Sequence, residues 1–408
     1  MRNTNKKGFT IVELVIVIAV IAILAAVLIP TFAGIIDRAN QSADKQAVTN
    51  MNKLLAMNEK ADDVDGVVEI LIKEGYKGDL STYFADYSLA WVESENAIVL
   101  VRENKVVYPT HIAENASYKI INPMATDSEA LVGGLTDGKV VFVGGDIATD
   151  KISIDAAGEY EINLNGNTVA LDNRAEAYNE GSKLVISNGV IESASTGCSV
   201  YSNNGGYVEL NNVQVYGASG ANTVQCYGGD LVLNNVVASQ HGNHVDDEGK
   251  TVAWYNSAVQ VVSYLENGKV TRLATATING GVYTGKNAVY MSSPGGKVVI
   301  NDGVFTATDN VIVMDGNSNY AYAKHDVVIN GGTFNGNIKI NQTTPLTEGG
   351  TFSFVINGGT FNGDTIVYNH FDAEGKSVKE TLELNFDNLS QFITAGSTVV
   401  INGETYTK

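Results

Sequence analysis

The sequence predicts a long N-terminal α-helix with a small α+β region behind it, followed by an all-β, right-handed parallel β-helix, a solenoid. Three observations carry that prediction. The run from Leu14 to Ile36 holds no charged residue. Apolar residues at threes and fours then continue to about Asn58. From about residue 131, one short pattern of Val, Ile, Gly and Asn returns with a period in the low twenties, as stacked structural repeats do.

Length and composition bound the rest. A chain of 408 residues implies at least two folded units. It carries 45 Asp and Glu against 26 Lys and Arg, a net charge of −19. That balance excludes nucleic acid as a main partner, since phosphate binding needs a basic face. Glycine is abundant (42) and proline scarce (5), without a collagen period. Two cysteines are too few for a disulfide scaffold and lack metal-ligand spacing. No cofactor is implied.

The N-terminus comes first. Between Lys7 and Asp37 the only charged residue is Glu13. Leu14 to Ile36 is long enough as a helix to cross a bilayer of ~30 Å. Arg2, Lys6 and Lys7 precede it, which places the N-terminus in the cytoplasm and the remainder outside, as a single-pass protein. A cleaved secretory signal would explain the basic start and the small-residue site near Thr31-Phe32-Ala33, but the run is too long and Glu13 interrupts it. A plain anchor explains the length but leaves Glu13 costing ~2.5–3.5 kcal/mol in the membrane.

A third reading uses every residue. Lys6-Lys7-Gly8-Phe9-Thr10-Ile11-Val12-Glu13-Leu14 resembles the prepilin leader of the type IV pilin and pseudopilin family. The resemblance implies that residues 1–8 are a leader, that a prepilin peptidase cuts after Gly8, and that Phe9 is then N-methylated. It also implies that Glu13 meets the new amine of a neighbouring subunit during assembly. The partners implied are the peptidase, other pilin subunits and membrane lipid, and the destination is a pilus filament at the cell surface. Physics agrees. Cleavage strips Arg2, Lys6 and Lys7 and creates an α-amine at Phe9. An amine and a carboxylate attract strongly in low dielectric, and each is costly alone. Pro30 should kink the helix.

Residues 9–58 are read as the transmembrane and spine helix, and 59–112 as the small α+β region that the resemblance makes pilin-like. Val64, Val67, Val68, Leu71 and Ile72 share one side of a short helix ended by Gly75 and Gly78. Alternating runs at 89–92, 97–101 and 106–108 predict antiparallel strands. Residues 113–130 are read as a linker.

Residues 131–408 are the β-helix. The segments VVFVGGD (140–146), EINLNGN (161–167), LVISNGV (184–190), VELNNV (208–213), LVLNNV (231–236), ATINGGVY (276–283), VVINDGVF (298–305), VVINGGTF (327–334), FVINGGTF (354–361) and VVINGETY (399–406) are alike. Their marker aliphatics are Phe142, Leu164, Ile186, Leu210, Leu233, Ile278, Ile300, Ile329, Ile356 and Ile401. The steps are 22, 22, 24, 23, 45, 22, 29, 27 and 45 residues. Reading each 45 as two periods gives roughly 12 coils and a stack ~55 Å long. Leucine is too sparse for a leucine-rich repeat, and β-branched residues dominate. In repeat length and in its Asn and aromatic columns the segment resembles the pectate-lyase-like β-helix superfamily, at the level of fold.

Each column has a reason. The marker aliphatics point inward. The Asn that follows (Asn165, Asn211, Asn234, Asn279, Asn301, Asn330, Asn357, Asn402) should sit in a bend and stack as a ladder. Tyr283, Phe305, Phe334, Phe361 and Tyr406, five residues after their markers, should stack as an aromatic column. The part near residue 131 should cap one end and 371–408 the other.

Candidate chemistry is thin. His241-Gly-Asn-His244-Val-Asp-Asp-Glu248 makes Asp246 and Asp247 the first candidates for a metal or for acid–base work. A solvated loop outweighs that reading. His325-Asp326 and His370-Phe-Asp372 read as exposed turns. Tyr201, Tyr207, Tyr216, Tyr227 or Tyr255 would stack on sugars if exposed, but ordinary β-surface tyrosines are the preferred reading. Arg174 and Arg272 are the only arginines after residue 130, too few to hold an acidic polysaccharide. Cys198 and Cys226 should lie on adjacent coils but ~13 Å apart along the strand, as two buried free thiols. The expectation is a minor or tip pilin or pseudopilin, not an enzyme, presenting an extracellular β-helix for adhesion to a surface glycan or protein. The alternative is a membrane-tethered enzyme acting on polysaccharide.

Overall fold

The structure, a computed structural model, describes residues 11–76, 87–121, 124–218, 220–240, 257–266, 269–316, 324–346 and 350–408. The side chains of 12–13, 22–35, 37, 240 and 269 also lie outside the description. The chain divides into two units, Met1–Pro123 and Met124–Lys408.

In the first unit, α1 (Ile11–Met57) is a single helix of 47 residues. Its N-terminal apolar residues, including Leu14, Val15, Ile16, Val17, Ile18, Val20 and Ile21, are exposed. Among the described residues no helix is long and apolar enough to cross a membrane. The C-terminal part behaves differently, burying Val48, Met51 and Leu55. There Asn52 anchors the helix to the sheet: its amide donates to the Ile98 carbonyl (2.8 Å) and accepts from the Ile98 N–H (2.6 Å). A second helix, α2 (Val64–Lys73), starts at Asp63, whose carboxylate accepts from the Gly66 N–H at 2.9 Å. It buries Val67, Val68 and Leu71.

The small sheet is antiparallel, with β1 (Ser88–Val92) at its centre between β2 (Ala97–Arg102) and β4 (Lys119–Ile120), and β3 (Lys105–Tyr108) beyond β2. Asn96 and Asn104 take the left-handed conformation in its two tight turns (φ 45° and 60°).

The second unit is a parallel β-solenoid of about eight turns with three strands per coil. On the first face Val141, Ile162, Ile186, Leu210, Leu233, Ile278, Ile300, Ile329 and Ile356 follow one another in register. On the second face Val169, Ile191, Val215 and Ala238 lead into Tyr283, Phe305, Phe334, Phe361 and Ile401. The third face stacks Ile152, Ala175, Val200, Val224, Val259, Val289, Ile312, Ile338 and Ile366. These columns meet in one buried core.

The coil count is about eight, not twelve, and neither 45-residue step holds an extra coil. Leu233 pairs directly with Ile278. Part of the extra length is a hairpin of Tyr264–Glu266 with Lys269–Arg272 at a corner of the ladder; residues 241–256 lie outside the described residues. At the other step, Ile401 lies opposite Phe361 on the second face, and Ile393 follows Ile356. The residues between form an antiparallel strand, Ser377–Glu383, and a helical turn, Phe386–Leu389. Two early markers also shift. Val141 and Ile162 hold the first-face column, not Phe142 and Leu164. At Leu164 the slip is of two residues, which leaves an alternating pattern unchanged; at Phe142 it is of one, within the unbroken apolar run 140–143.

The first coil is covered by α3 (Ser128–Gly134), capped by Asp127, with Leu131 buried in the β-helix core. At the far end Leu384, Leu389 and Ile393 close the same core.

The asparagine ladder forms from Asn211 to Asn357. Side-chain amides join Asn234 to Asn211, Asn279 to Asn234, Asn301 to Asn279, Asn330 to Asn301 and Asn357 to Asn330 at 2.6–2.8 Å. Asn165 and Asn402 stand outside it, bonding backbone carbonyls instead. The left-handed bend falls where expected at Asn165 and Asn402 (φ 53° and 49°), but one residue later, at Asn212 and Asn235 (φ 54° and 53°), after Asn211 and Asn234. The aromatic column is real for Tyr283, Phe305, Phe334 and Phe361, with centroids 4.9, 4.9 and 5.0 Å apart. Tyr406 is not in it; it stacks on Phe386 at 4.7 Å.

Candidate functional site

Gly8 and Phe9 lie outside the described residues. Glu13 is on α1, and its side chain is likewise outside. Asp246, Asp247 and Tyr255 fall outside as well. Among the described residues no group of three or more His, Cys, Asp or Glu is placed to hold a metal.

Cys198 lies opposite Asn222, and Cys226 opposite Ser202, so the thiols are four positions out of register. Both are free and buried, and burial pushes each up to about 12.

His325 is fully buried, a correction to its reading as an exposed turn. It is the second residue of the first-face strand Lys324–Ile329, and Gly295 leaves room beside it, since a Cβ there would lie 2.8 Å from its Nδ1. Its ring meets Phe352 at 5.1 Å, and Nε2 donates to the Asp315 carbonyl at 3.3 Å. Burial lowers its pKa from 6.5 to about 4. The folded value lies below the unfolded one, so the neutral ring stabilises fully above pH 6.5, and this contribution is lost as pH falls through about 4. We predict up to about 3 kcal/mol of acid destabilisation over that window, seen as a pH slope in chemical denaturation. His325→Asn should flatten the slope; an unchanged slope would refute the assignment. His370 is no exposed turn either: it lies in the strand Thr365–Phe371 and stacks on Tyr368 at 4.2 Å.

The side chains that converge lie on the outer surface of the third face. One outward column carries Glu176, Tyr201, Gln225, Gln260 and Tyr290; the next carries Tyr178, Asn203, Tyr227 and Val262. Arg174 donates from Nε to Glu176 Oε2 at 2.8 Å and lies 4.8 Å over the Tyr201 ring. Burial opposes its charge, but the Glu176 hydrogen bond and carboxylate outweigh this and hold the guanidinium pKa above its usual value. Ser153 donates to the other Glu176 oxygen at 3.0 Å. Burial, first, and the neighbouring Cys198 push the Tyr201 phenol upward.

Tyr201 and Tyr227 pack ring on ring at 6.5 Å, and Tyr264 of the hairpin meets Tyr227 edge-on at 5.5 Å. Arg272 of the same hairpin donates to Glu180 at 3.1 Å. Between hairpin and corner lies a cleft of about 550 Å³ lined by Glu180, Asn204, Tyr264, Glu266, Thr271 and Arg272.

Of the tyrosines singled out in the sequence, the structure thus brings Tyr201 and Tyr227 together. Tyr207 is on the first face, bonded to Glu209, and Tyr216 is on the second, bonded to Gln214. Tyr264 went unnoticed. Its signal was present: Tyr264-Leu-Glu-Asn-Gly-Lys-Val-Thr-Arg272 has Asn-Gly between two short alternating runs, a hairpin signature.

Residues 3–29 match the family model described as the prokaryotic N-terminal methylation motif. The type IV wide pilus major component PilA4 of Thermus thermophilus is 63% identical over 38 residues, which are 9% of this chain and 29% of that protein. The chain therefore covers less than a third of the length of this curated relative. No solved structure matches it. The chain joins a type IV pilin-type N-terminus, bearing the N-terminal methylation motif, to a parallel β-helix.

Proposed function

We propose that the protein is a minor or tip subunit of a type IV pilus-like filament, anchored in the membrane by Leu14–Ile36 until assembly, and that its β-helix is presented outside the cell as a binding surface. The methylation motif over residues 3–29 carries this reading. In it, prepilin peptidase cuts after Gly8, Phe9 is methylated, and Glu13 pairs with the Phe9 amine of a neighbouring subunit. The exposed apolar side chains at the start of α1 support it, since they need lipid or other subunits as cover. A β-helix of about eight turns is bulky for a subunit repeated along a tightly packed filament, which favours a minor or tip position. The role in this reading is binding and not catalysis, and the engagement of both arginines of the β-helix by glutamates supports it.

The test is Gly8→Val in a host with the peptidase. The expected result is a precursor that keeps residues 1–8, lacks N-methyl-Phe9, and enters filaments at least tenfold less. Mass spectrometry of the N-terminus reads this directly. N-methyl-Phe9 formed at the normal level in the variant would overturn the proposal.

A further inference from the structure

We propose that the hairpin cleft on the third face binds a neutral oligosaccharide. This rests on the reading of the β-helix as a presented binding surface, and it names the ligand class and the place.

The hairpin is an addition the ladder does not require. Leu233 and Ile278 pair directly, so the coil closes without it. Yet its position is specified. Arg272 reaches Glu180, 92 residues earlier in the chain. Tyr264 lies on Gly228, where a Cβ would come within 2.4 Å of the Tyr264 Cβ, and Gly228 takes φ +64°. The hairpin thus bends back over the corners of earlier coils and walls a cleft of about 550 Å³. Ligand sites generally enclose about 300–1,000 Å³.

The chemistry inside suits a polyhydroxylated ring. A sugar presents an apolar C–H face and a rim of hydroxyls that both donate and accept. Tyr264, Tyr227 and Tyr201 form a row of rings leading from the cleft along the third face, at 5.5 and 6.5 Å spacing. Aromatic rings with polar edges suit amphipathic partners of this kind. Around Tyr264 the cleft offers an acceptor on Glu266 and groups that both donate and accept on Thr271 and Asn204.

Charge selects among sugars. The β-helix holds two arginines, Arg174 and Arg272, and both are paired on this face, with Glu176 and Glu180. Neither is left to clamp a carboxylate or sulfate. Glu266 adds negative charge to the cleft. A polyanionic glycan is therefore repelled, and a neutral one is not.

The test is isothermal titration of the detergent-solubilised full chain with cellohexaose, mannohexaose and hexagalacturonate. The expected result is that a neutral hexasaccharide binds and hexagalacturonate binds at least tenfold more weakly. Tyr264→Ala should weaken the neutral sugar tenfold or more, and Tyr264→Phe should restore it to within about threefold. Binding by neither neutral sugar, tighter binding of hexagalacturonate, or unchanged binding by Tyr264→Ala would each overturn the inference. The assay needs neither processing nor assembly. Normal Phe9 methylation with no sugar binding therefore defeats this inference alone, and sugar binding with unaltered processing of Gly8→Val defeats only the pilus reading.

Discussion

Phe334→Ala lowers the unfolding free energy of the β-helix by about 3–5 kcal/mol, the cost of truncating a buried aromatic side chain. Phe334 is fully buried and packs between Phe305 and Phe361, with ring planes 6° and 11° from parallel to theirs. Parallel ladders above and below hold the backbone spacing, so the cavity cannot collapse and both ring contacts are lost together. In a solenoid, stability is a sum of coil terms and nearest-neighbour interfaces. The damage should thus appear as a broadened or split transition in guanidinium, not only as a shifted midpoint. Tyr406→Ala is the control, because that ring stacks on Phe386 outside the column. A Phe334→Ala loss no larger than the Tyr406→Ala loss would show that the column does not hold these coils together.

Gly281→Ala should be at least as damaging, above about 3 kcal/mol, through overlap and not through a cavity. Gly281 has φ +108°, and a Cβ there would lie 2.1 Å from the Val236 carbonyl oxygen and 2.6 Å from its nitrogen. Both atoms belong to the backbone of the preceding coil, pinned by the pairing of Val236 with Gly281. The adjacent Gly280 separates the two causes. Its φ is +104°, but a Cβ would meet nothing within 4 Å. Gly280→Ala should therefore cost about 1 kcal/mol, the conformational part alone. Equal losses in the two variants, measured by thermal unfolding, would sink the steric argument.

Much of this was legible in the sequence, for a physical reason. A parallel solenoid stacks like on like, so Asn234 above Asn211 and Phe334 above Phe305 leave a periodic trace. The four-position offset of the cysteines followed from the same stacking. Corners leave no such trace. The ladder pairs Leu233 directly with Ile278 whatever the chain length between them, so a long step looked like a missing coil. Register was ambiguous by two at Leu164, because alternation cannot tell one inward position from the next. His325 was misplaced because polarity predicts exposure, whereas here the neighbouring Gly295 leaves space for a buried ring. At the candidate cleft, Tyr201 and Tyr227 stood out as residues, but their meeting with Tyr264 depends on how far the hairpin bends back. Arg174 and Arg272 were counted as too few; that each already has a glutamate is a matter of geometry.

The asparagine ladder has a direction. Every bond runs the same way, with Nδ2 of the later coil donating to Oδ1 of the earlier one. Six side-chain amides from Asn211 to Asn357 are therefore dipoles aligned head to tail along the solenoid, much as peptide groups are along a helix. Its positive end lies among the early coils, where the Glu209 carboxylate accepts from Asn234 at 3.2 Å. Its negative end is Asn357 Oδ1, which the Thr394 hydroxyl meets at 2.7 Å. Each bond polarises the next. Coils along this edge are thus linked by a chain with two different termini, and a coil inserted without its asparagine would leave two shorter chains, each with one end lacking its partner.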